Sequence, residues 1–354
     1  MAPDGRTAHG ATAAHVRDAV VADDRAWDAY VDAHPDATFF HLSGWRGVIE
    51  RVFGHRCHYL VAERDGRLAG VLPLAEVRSR LFGNALVSLP FAVYGGPLAD
   101  DAATARALAE AAADIARRRA VGHLELRNRV ACCDGWPQQD LYVTFRREIL
   151  PDVEANLNAI PRKQRAMVRK GIKNGLVAAV DATPDRFFAL YADNMHRHGT
   201  PAFGPAYFRA LAGTFGERCE FLVVSDAAGT PVSGVCSFYF RDEVLPYYAG
   251  DVTAARDLAA NDFKYWELMR RACERGLRVF DYGRSKKGTG SFDFKKNWGF
   301  VPTPLAYEYA LVKRTAIPQN NPLNPKYRAM IATWRRLPRP VVGVLGPLLV
   351  KSLG

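Results

Sequence analysis

Between residues 278 and 300 the chain reads RVFDYGRSKKGTGSFDFKKNWGF. An apolar pair, Val279-Phe280, runs into Arg284, Lys286 and Lys287, and then Lys295 with Lys296. Gly283, Gly288 and Gly290 lie between these cations, with the aromatics Phe292, Phe294 and Trp298. A strand that ends in glycines and cations builds a ledge where an anionic group meets backbone N–H donors. Aromatics beside it exclude water and sharpen each charge–charge interaction. The spacing predicts an active-site edge for a phosphate- or carboxylate-bearing substrate; a solvated basic loop fits the composition equally well.

A second basic cluster, residues 161–174 (PRKQRAMVRKGIKN), holds Arg162, Lys163, Arg165, Arg169, Lys170 and Lys173 and no acid. At helical spacing Arg162, Arg165, Arg169 and Lys173 share one face, while Ile160, Met167, Val168 and Ile172 point the other way. Pro161 suits the first turn, where its missing N–H costs nothing. Like charges three or four apart repel by about 0.2–0.5 kcal/mol per pair. Such a stack calls for an anion that offsets the repulsion, or for a helix docked by its apolar face with its charges solvated. The cluster has no interleaved aromatics, which argues against nucleic-acid binding for its own sake.

The 354 residues fit two domains of roughly 150 residues each. A hydrophobic share of 49% and a charged share of 24% are ordinary for a globular chain, and the net charge of +11 favours anionic partners. Six cysteines read as reduced thiols; the adjacent Cys132-Cys133 is a poor zinc clamp, and His55-Arg56-Cys57-His58 has no distant partner pair, so no metal is expected. The first 20 residues lack an apolar core and carry acids, so they read as no signal peptide, which implies a cytoplasmic location. Residues 341–353 (VVGVLGPLLVKSL) are too short to span a bilayer and are broken by Pro347. With Arg335, Arg336, Arg339 and Lys351 around it, this segment either rests on an anionic leaflet of the inner membrane or folds back onto the body.

Positioning such groups needs a scaffold, and hydropathy supplies one. Residues 22–34 and 43–53 show helical spacing around Trp27, Tyr30 and Val31, then Trp45, Val48 and Ile49. Residues 58–63 and 67–77 are apolar runs joined by Arg64-Asp65-Gly66, a hairpin signal. A glycine- and proline-rich loop at 89–97 precedes an alanine-rich helix over 102–119, then Gly122 and a strand over 123–126. The second half repeats this order. A hairpin at 221–225 and 232–240 leads to a strand and loop at 245–250, a helix over 258–275, Gly276 and a strand at 278–282. ARRRAVGHLEL and ACERGLRVFDY share a helix–glycine–strand exit, which predicts an internal duplication of one α/β unit. The expected layout is a disordered 1–20, a first domain at 21–150, a basic inter-domain helix at 151–176, a second domain with the active site at 177–315, and a tail at 316–354.

Long blocks resemble the FemAB family of non-ribosomal aminoacyl and acyl transferases, most closely its branch associated with exosortase/PEP-CTERM exopolysaccharide systems. They include SLPFAVYGGPLAD (88–100), LELRNR (124–129), IPRKQRAMVRKGIKNGL (160–176), HGTPAF (198–203), FYFRDEVLPYYAGD (238–251), FDYGRSKKGTGSFDFKKNWGF (280–300) and NPLNPKYR (321–328). The resemblance implies an α/β (α+β) fold of two tandem acetyltransferase-like (GNAT-like) domains, with mixed central sheets flanked by helices and no coiled-coil arm. The family pattern Lys/Arg-x-x-Arg-x-x-Ile-Arg-Lys-Ala falls on Arg162 to Gly171, with Val168 for Ile and Gly171 for Ala. The family's Phe-Lys falls on Phe294-Lys295, which implies a role in binding or catalysis for Lys295. GNAT enzymes cradle the coenzyme A pyrophosphate on Arg/Gln-x-x-Gly-x-Gly/Ala ahead of a helix. The nearest string here, Arg256 to Asn261, has alanine for the central glycine.

The implied reaction moves an acyl or aminoacyl group from acyl-CoA or aminoacyl-tRNA to an amine of an envelope or polysaccharide precursor, with no tightly bound cofactor and no DNA. Such chemistry holds carbonyl and amine within about 3–3.5 Å, supplies donors for the developing oxyanion, and removes an amine proton. Lys295 is the expected oxyanion or phosphate partner. Arg284 and Lys286 would grip a carrier anion beside Phe294 and Trp298, with Arg165 and Arg169 across the cleft and Asn261 at a helix start. Asp281 and Tyr248 are candidates for proton handling or amine orientation, although Asp281 equally fits an ion pair with Arg284. The alternative is a degenerate GNAT-fold scaffold at an exopolysaccharide/exosortase assembly site.

Overall fold

The structure is a computed structural model that describes residues 13–79, 83–318 and 325–352. Its second half is built on a seven-stranded sheet in the order Val177–Asp181, Cys219–Ser225, Pro231–Phe240, Glu243–Asp251, Val279–Lys286, Tyr142–Glu148 and Pro302–Pro304. All its pairings are antiparallel except that of Glu243–Asp251 with Val279–Lys286. The parallel step is made by helix Ala260–Glu274, whose chain turns at Gly276 with φ of 73°. Strand alternation sends Phe221, Val223, Cys236 and Phe238 to the face covered by helices Asp185–His198 and Pro205–Phe215. Leu222, Val235, Val244 and Phe280 go to the other face, against Trp266, Met269 and Ala272 of Ala260–Glu274.

The first half carries two smaller sheets. One runs His15–Asp18, Leu60–Arg64, Arg67–Leu72, Leu98–Ala99; the other runs Arg56–Cys57, Ala75–Ser79, Gly83–Val87, His123–Asn128, Ala306–Leu311, Gln138–Gln139. Asp65 and Gly66 turn the first hairpin with φ of 50° and 74°, the left-handed pair that an Asp-Gly turn adopts. Gly83–Val87 pairs parallel to His123–Asn128 after helix Ala102–Arg118, so each half contains the same strand–helix–parallel-strand step. This is the mixed-sheet α/β architecture expected of a duplicated unit.

Three expectations need correction. Residues 1–20 are not uniformly free of structure: His15–Asp18 pairs with Leu60–Glu63, and Arg17 bridges Asp23 and Glu63 at 2.8 and 2.6 Å. Residues 1–12 lie outside the described residues. The boundary at 150 does not separate the sheets. Tyr142–Glu148, from the first half, pairs with Val279–Lys286 in the second sheet, and Ala306–Leu311, from the second half, pairs with His123–Asn128 in the first. The strand expected over 278–282 continues to Lys286, and the supposed ledge beyond it is a turn followed by helix Gly290–Asn297.

The tail forms helices Pro325–Arg336 and Arg339–Val350 and folds back on the body, as one of its two readings held. Trp334, Val342, Gly346 and Val350 are buried. A Cβ on Gly346 would lie 3.1 Å from the Ala202 carbonyl oxygen, so the absent side chain permits this close approach. His55 Nε2 lies 2.8 Å from the Lys351 carbonyl oxygen and pins the helix end.

Candidate active site

The two parallel strands bridge at only two residue pairs, Glu243 with Val279 and Val244 with Phe280. Beyond them the ladder stops, and a cavity of about 500 Å³ occupies the gap. Pro246, Tyr247 and Tyr248 wall one side, and Tyr282, Gly283 and Arg284 the other. Helix Gly290–Asn297 adds Ser291 and Lys295; helix Ala260–Glu274 adds Tyr265. Phe91, Val93 and Arg127 come from the first half, and Phe203 and Val350 complete the lining.

Thr289 caps the helix that carries Lys295, its hydroxyl accepting from the Phe292 N–H at 3.4 Å. Lys295 Nζ donates to the carbonyl oxygens of Tyr282, Gly283 and Arg284 at 2.7, 3.1 and 3.1 Å. These three protons hold the strand around Gly283, whose φ of 62° a side chain would strain. Burial pulls the Lys295 ammonium from 10.5 down to about 7; Asp281 opposes this and Arg284 adds to it. Lys295 is therefore at the cavity, as expected, with its donors engaged by main chain rather than open to an oxyanion.

Arg284 lies over the Tyr142 ring at 4.4 Å, and its Nη1 is 3.3 Å from the Tyr307 hydroxyl. It pairs with no carboxylate among the described residues. Arg127 is held by Glu125 at 2.8 Å and by the Ala92 carbonyl oxygen at 2.8 Å. Sequence reasoning passes over it because the strand reads only to residue 126, and LELRNR enters as a block of resemblance that gives the arginine no role.

Tyr248 lines the cavity and shares a 2.9 Å hydrogen bond with the Tyr207 hydroxyl. Burial pushes its phenol well above the usual range, so the hydroxyl meets the cavity in its neutral, hydrogen-bonding form. Asp281 is corrected. It is fully buried, absent from the cavity lining, and accepts from the Gly283 N–H at 2.7 Å and the Tyr94 hydroxyl at 3.0 Å. Its ion-pair partner is Arg146 at 3.5 Å, and not Arg284.

Other expected ligands stand elsewhere. Trp298 is core, with Nε1 donating to Asp262 at 2.9 Å. Phe294 packs on Tyr265 and Trp298 outside the lining, and Lys286 lies beside the Tyr142 ring. Arg165 is tied to Asn158 at 2.9 Å, and Arg169 is exposed. Their helix, Arg162–Lys173, packs on Ala260–Glu274 and not across the cavity. A Cβ on Gly171 would sit 2.7 Å from Phe263 Cβ, which accounts for glycine where the family pattern has alanine. Asn261 occupies the first turn of Ala260–Glu274, away from the lining. In that turn Ala259 takes the left-handed φ of 59°, and the Asp262 carboxylate already sits at the helix start.

Cys132, Cys133 and Glu308 bring three ligand atoms within 4.8 Å of one another. Glu308 is already committed, however, to the N–H groups of Cys132 and Cys133 at 2.9 Å each and to Asn128 Nδ2 at 2.5 Å.

Residues 158–296 match the family described as Acetyltransferase (GNAT) domain. No curated protein sequence matches the chain. Among solved structures, the chain is similar to FemX, with 14% identity and a TM-score of 0.64 over 90% of this chain and 100% of that one. It is also similar to a tandem GNAT protein from the clavulanic acid biosynthesis pathway, with 13% identity and a TM-score of 0.54 over 86% and 100%. The C-terminal domain of a candidate lysylphosphatidylglycerol synthetase from Agrobacterium fabrum matches with 15% identity and a TM-score of 0.54 over 88% and 96%. The fold is that of tandem GNAT proteins, and the matched segment holds most of the cavity wall.

Proposed function

We propose that this protein transfers an aminoacyl or other acyl group from an activated anionic carrier to an amine. The observation that carries this reading is the cavity between the parted strands, where Arg127, Arg284 and Lys295 converge among aromatic walls and no carboxylate joins the lining. Such a site attracts an anion and holds a flat acyl group out of water. The same cations lower the pKa of an incoming ammonium group, so the acceptor arrives as the free, nucleophilic amine without a dedicated base. Carbonyl and amine then meet in the gap, where positioning supplies much of the rate: the amine nitrogen bonds to the acyl carbon, the acyl bond to the carrier's oxygen or sulfur breaks, and the amine proton leaves with that atom.

Two features favour aminoacyl-tRNA over coenzyme A as the carrier. The helix start where a pyrophosphate would sit carries Asp262 and lacks the glycine that the cradle uses. Beside it, Arg162, Lys163, Arg169, Lys170 and Lys173 are exposed and form no ion pair among the described residues, an apt surface for a phosphate backbone. The block resemblance supports an envelope or exopolysaccharide precursor as the acceptor.

The test is a thermal-shift titration with charged tRNA and, separately, acetyl-CoA, followed by mass detection of the acylated amine. A ligand at 100 times its Kd adds about 2.7 kcal/mol and moves the melt by a few degrees. A salt-sensitive shift with charged tRNA and a transferred aminoacyl group is the expected result. A shift with acetyl-CoA alone reassigns the carrier. Binding without transfer turns the protein into a scaffold, and no response to either donor overturns the reading.

A further inference from the structure

The C-terminal helix Arg339–Val350 has two unlike faces. Val342, Gly346 and Val350 are buried against the body, and Val350 lines the cavity. Val341, Val344, Leu345 and Leu348 lie on the outer side at 39%, 67%, 39% and 54% exposure. They stand at i, i+3, i+4 and i+7, the spacing that draws a continuous apolar stripe along one side of the helix. Large apolar side chains exposed together mark a surface that meets something apolar.

The charge around the stripe identifies that partner. From residue 309 to the C-terminus the sequence has no aspartate or glutamate, while it holds Lys313, Arg314, Lys326, Arg328, Arg335, Arg336, Arg339 and Lys351. Arg336 and Lys351 are exposed at the two ends of the striped helix, and neither forms an ion pair among the described residues. A second copy related by a two-fold axis would set these cations against their equivalents, which is repulsive. A helix of 12 residues, about 18 Å long, cannot cross a hydrocarbon core of about 30 Å, but it can lie in the interface with cations at the headgroups.

We infer that Arg339–Val350 docks this protein on an anionic membrane leaflet and so sets the cavity at the lipid surface. The docking rests on the tail alone. Only its corollary, that the acceptor amine is presented from that surface, rests on the acyl-transfer reading.

The experiment is co-sedimentation of the full chain with vesicles of phosphatidylglycerol and phosphatidylcholine, and with phosphatidylcholine alone. Wild type is expected to bind the anionic vesicles at least about tenfold more tightly, since each cation near such a surface is worth about 1 kcal/mol. Val344→Asp/Leu348→Asp should abolish binding with an unchanged melting temperature, because both positions are solvent-facing. Arg336→Glu/Lys351→Glu should weaken it about tenfold or more. Wild type that ignores anionic vesicles, binds both kinds equally, or binds as before with the stripe replaced overturns the proposal. So does light scattering that shows a dimer broken by Val344→Asp/Leu348→Asp without vesicle binding. Transfer to a soluble amine should survive in that variant, which separates a failure of docking from a failure of the proposed reaction.

Discussion

Replacing Lys295 by methionine should flatten the alkaline rise of stability. In the folded chain the ammonium is pulled down to about 7, whereas unfolded it titrates near 10.5. Between those values the unfolded chain holds more protons, so stability must rise with pH. This group's contribution is fully present above 10.5 and is lost as pH falls towards 7. At about 1.36 kcal/mol per pH unit for one proton, the window caps the effect at about 5 kcal/mol. The three carbonyls around Nζ favour the ammonium and narrow that span, so we expect about 2–4 kcal/mol between pH 7 and 10. Urea unfolding of wild type and Lys295→Met at each pH measures the difference directly, because every other titrating group is common to both. Parallel curves would refute the reasoning: Lys295 would then be charged throughout, and burial would not dominate at this position.

His41 should govern an acid counterpart. It is buried, with Nδ1 accepting from the Thr38 N–H and Nε2 facing the Gly96 carbonyl, each at 3.0 Å, and burial lowers it from 6.5 to about 4. Its contribution is complete above 6.5 and lost as pH falls towards 4, by up to about 3 kcal/mol; His41→Gln should unfold with a shallower pH dependence over that window in the same assay. Arg284→Met should leave the melt within about 1 kcal/mol of wild type, since no carboxylate is abandoned, yet weaken binding of the anionic carrier about tenfold or more in titration. Gly171→Val should cost about 1–3 kcal/mol by forcing a methyl-bearing Cβ against Phe263, read as a lower urea midpoint.

Local signals were the legible part of this chain. Asp65-Gly66, the helix preceding Gly122 and the helix preceding Gly276 each announce themselves within a few residues, and each forms where expected. The exchanged strands were hidden because nothing inside Tyr142–Glu148 or Ala306–Leu311 says which sheet will accept them; that choice is made by partners more than a hundred residues away. The site was half legible for a similar reason. Arg284 and Lys295 stand out by type and reach the cavity, as does Tyr248. Asp281 shares their segment, but a strand sends alternate side chains to opposite faces, and this one leaves for the Tyr94 side. Phe294, one position before Lys295 and about 100° round the helix, and Trp298, just past the helix end at Asn297, turn to the core instead. Arg127, Phe203 and Val350 arrive from other elements altogether and had no local signature.

The strand exchange explains how a duplicated unit came to make one site. Arg284 lies over Tyr142, which opens the strand lent to the second sheet, and donates to Tyr307, which sits in the strand lent to the first. The two tyrosine rings stand 5.1 Å apart, and the Tyr307 hydroxyl donates to the Val93 carbonyl oxygen at 2.5 Å. A guanidinium taken out of water without a carboxylate needs other partners, and aromatic faces and a phenol oxygen supply them while leaving its charge uncancelled. Neither half could provide that cage alone, because each tyrosine reaches Arg284 only by crossing between the halves. The exchange therefore does more than lock two domains together: it leaves the Arg284 guanidinium at the cavity, beside Arg127 and Lys295, without a carboxylate partner among the described residues.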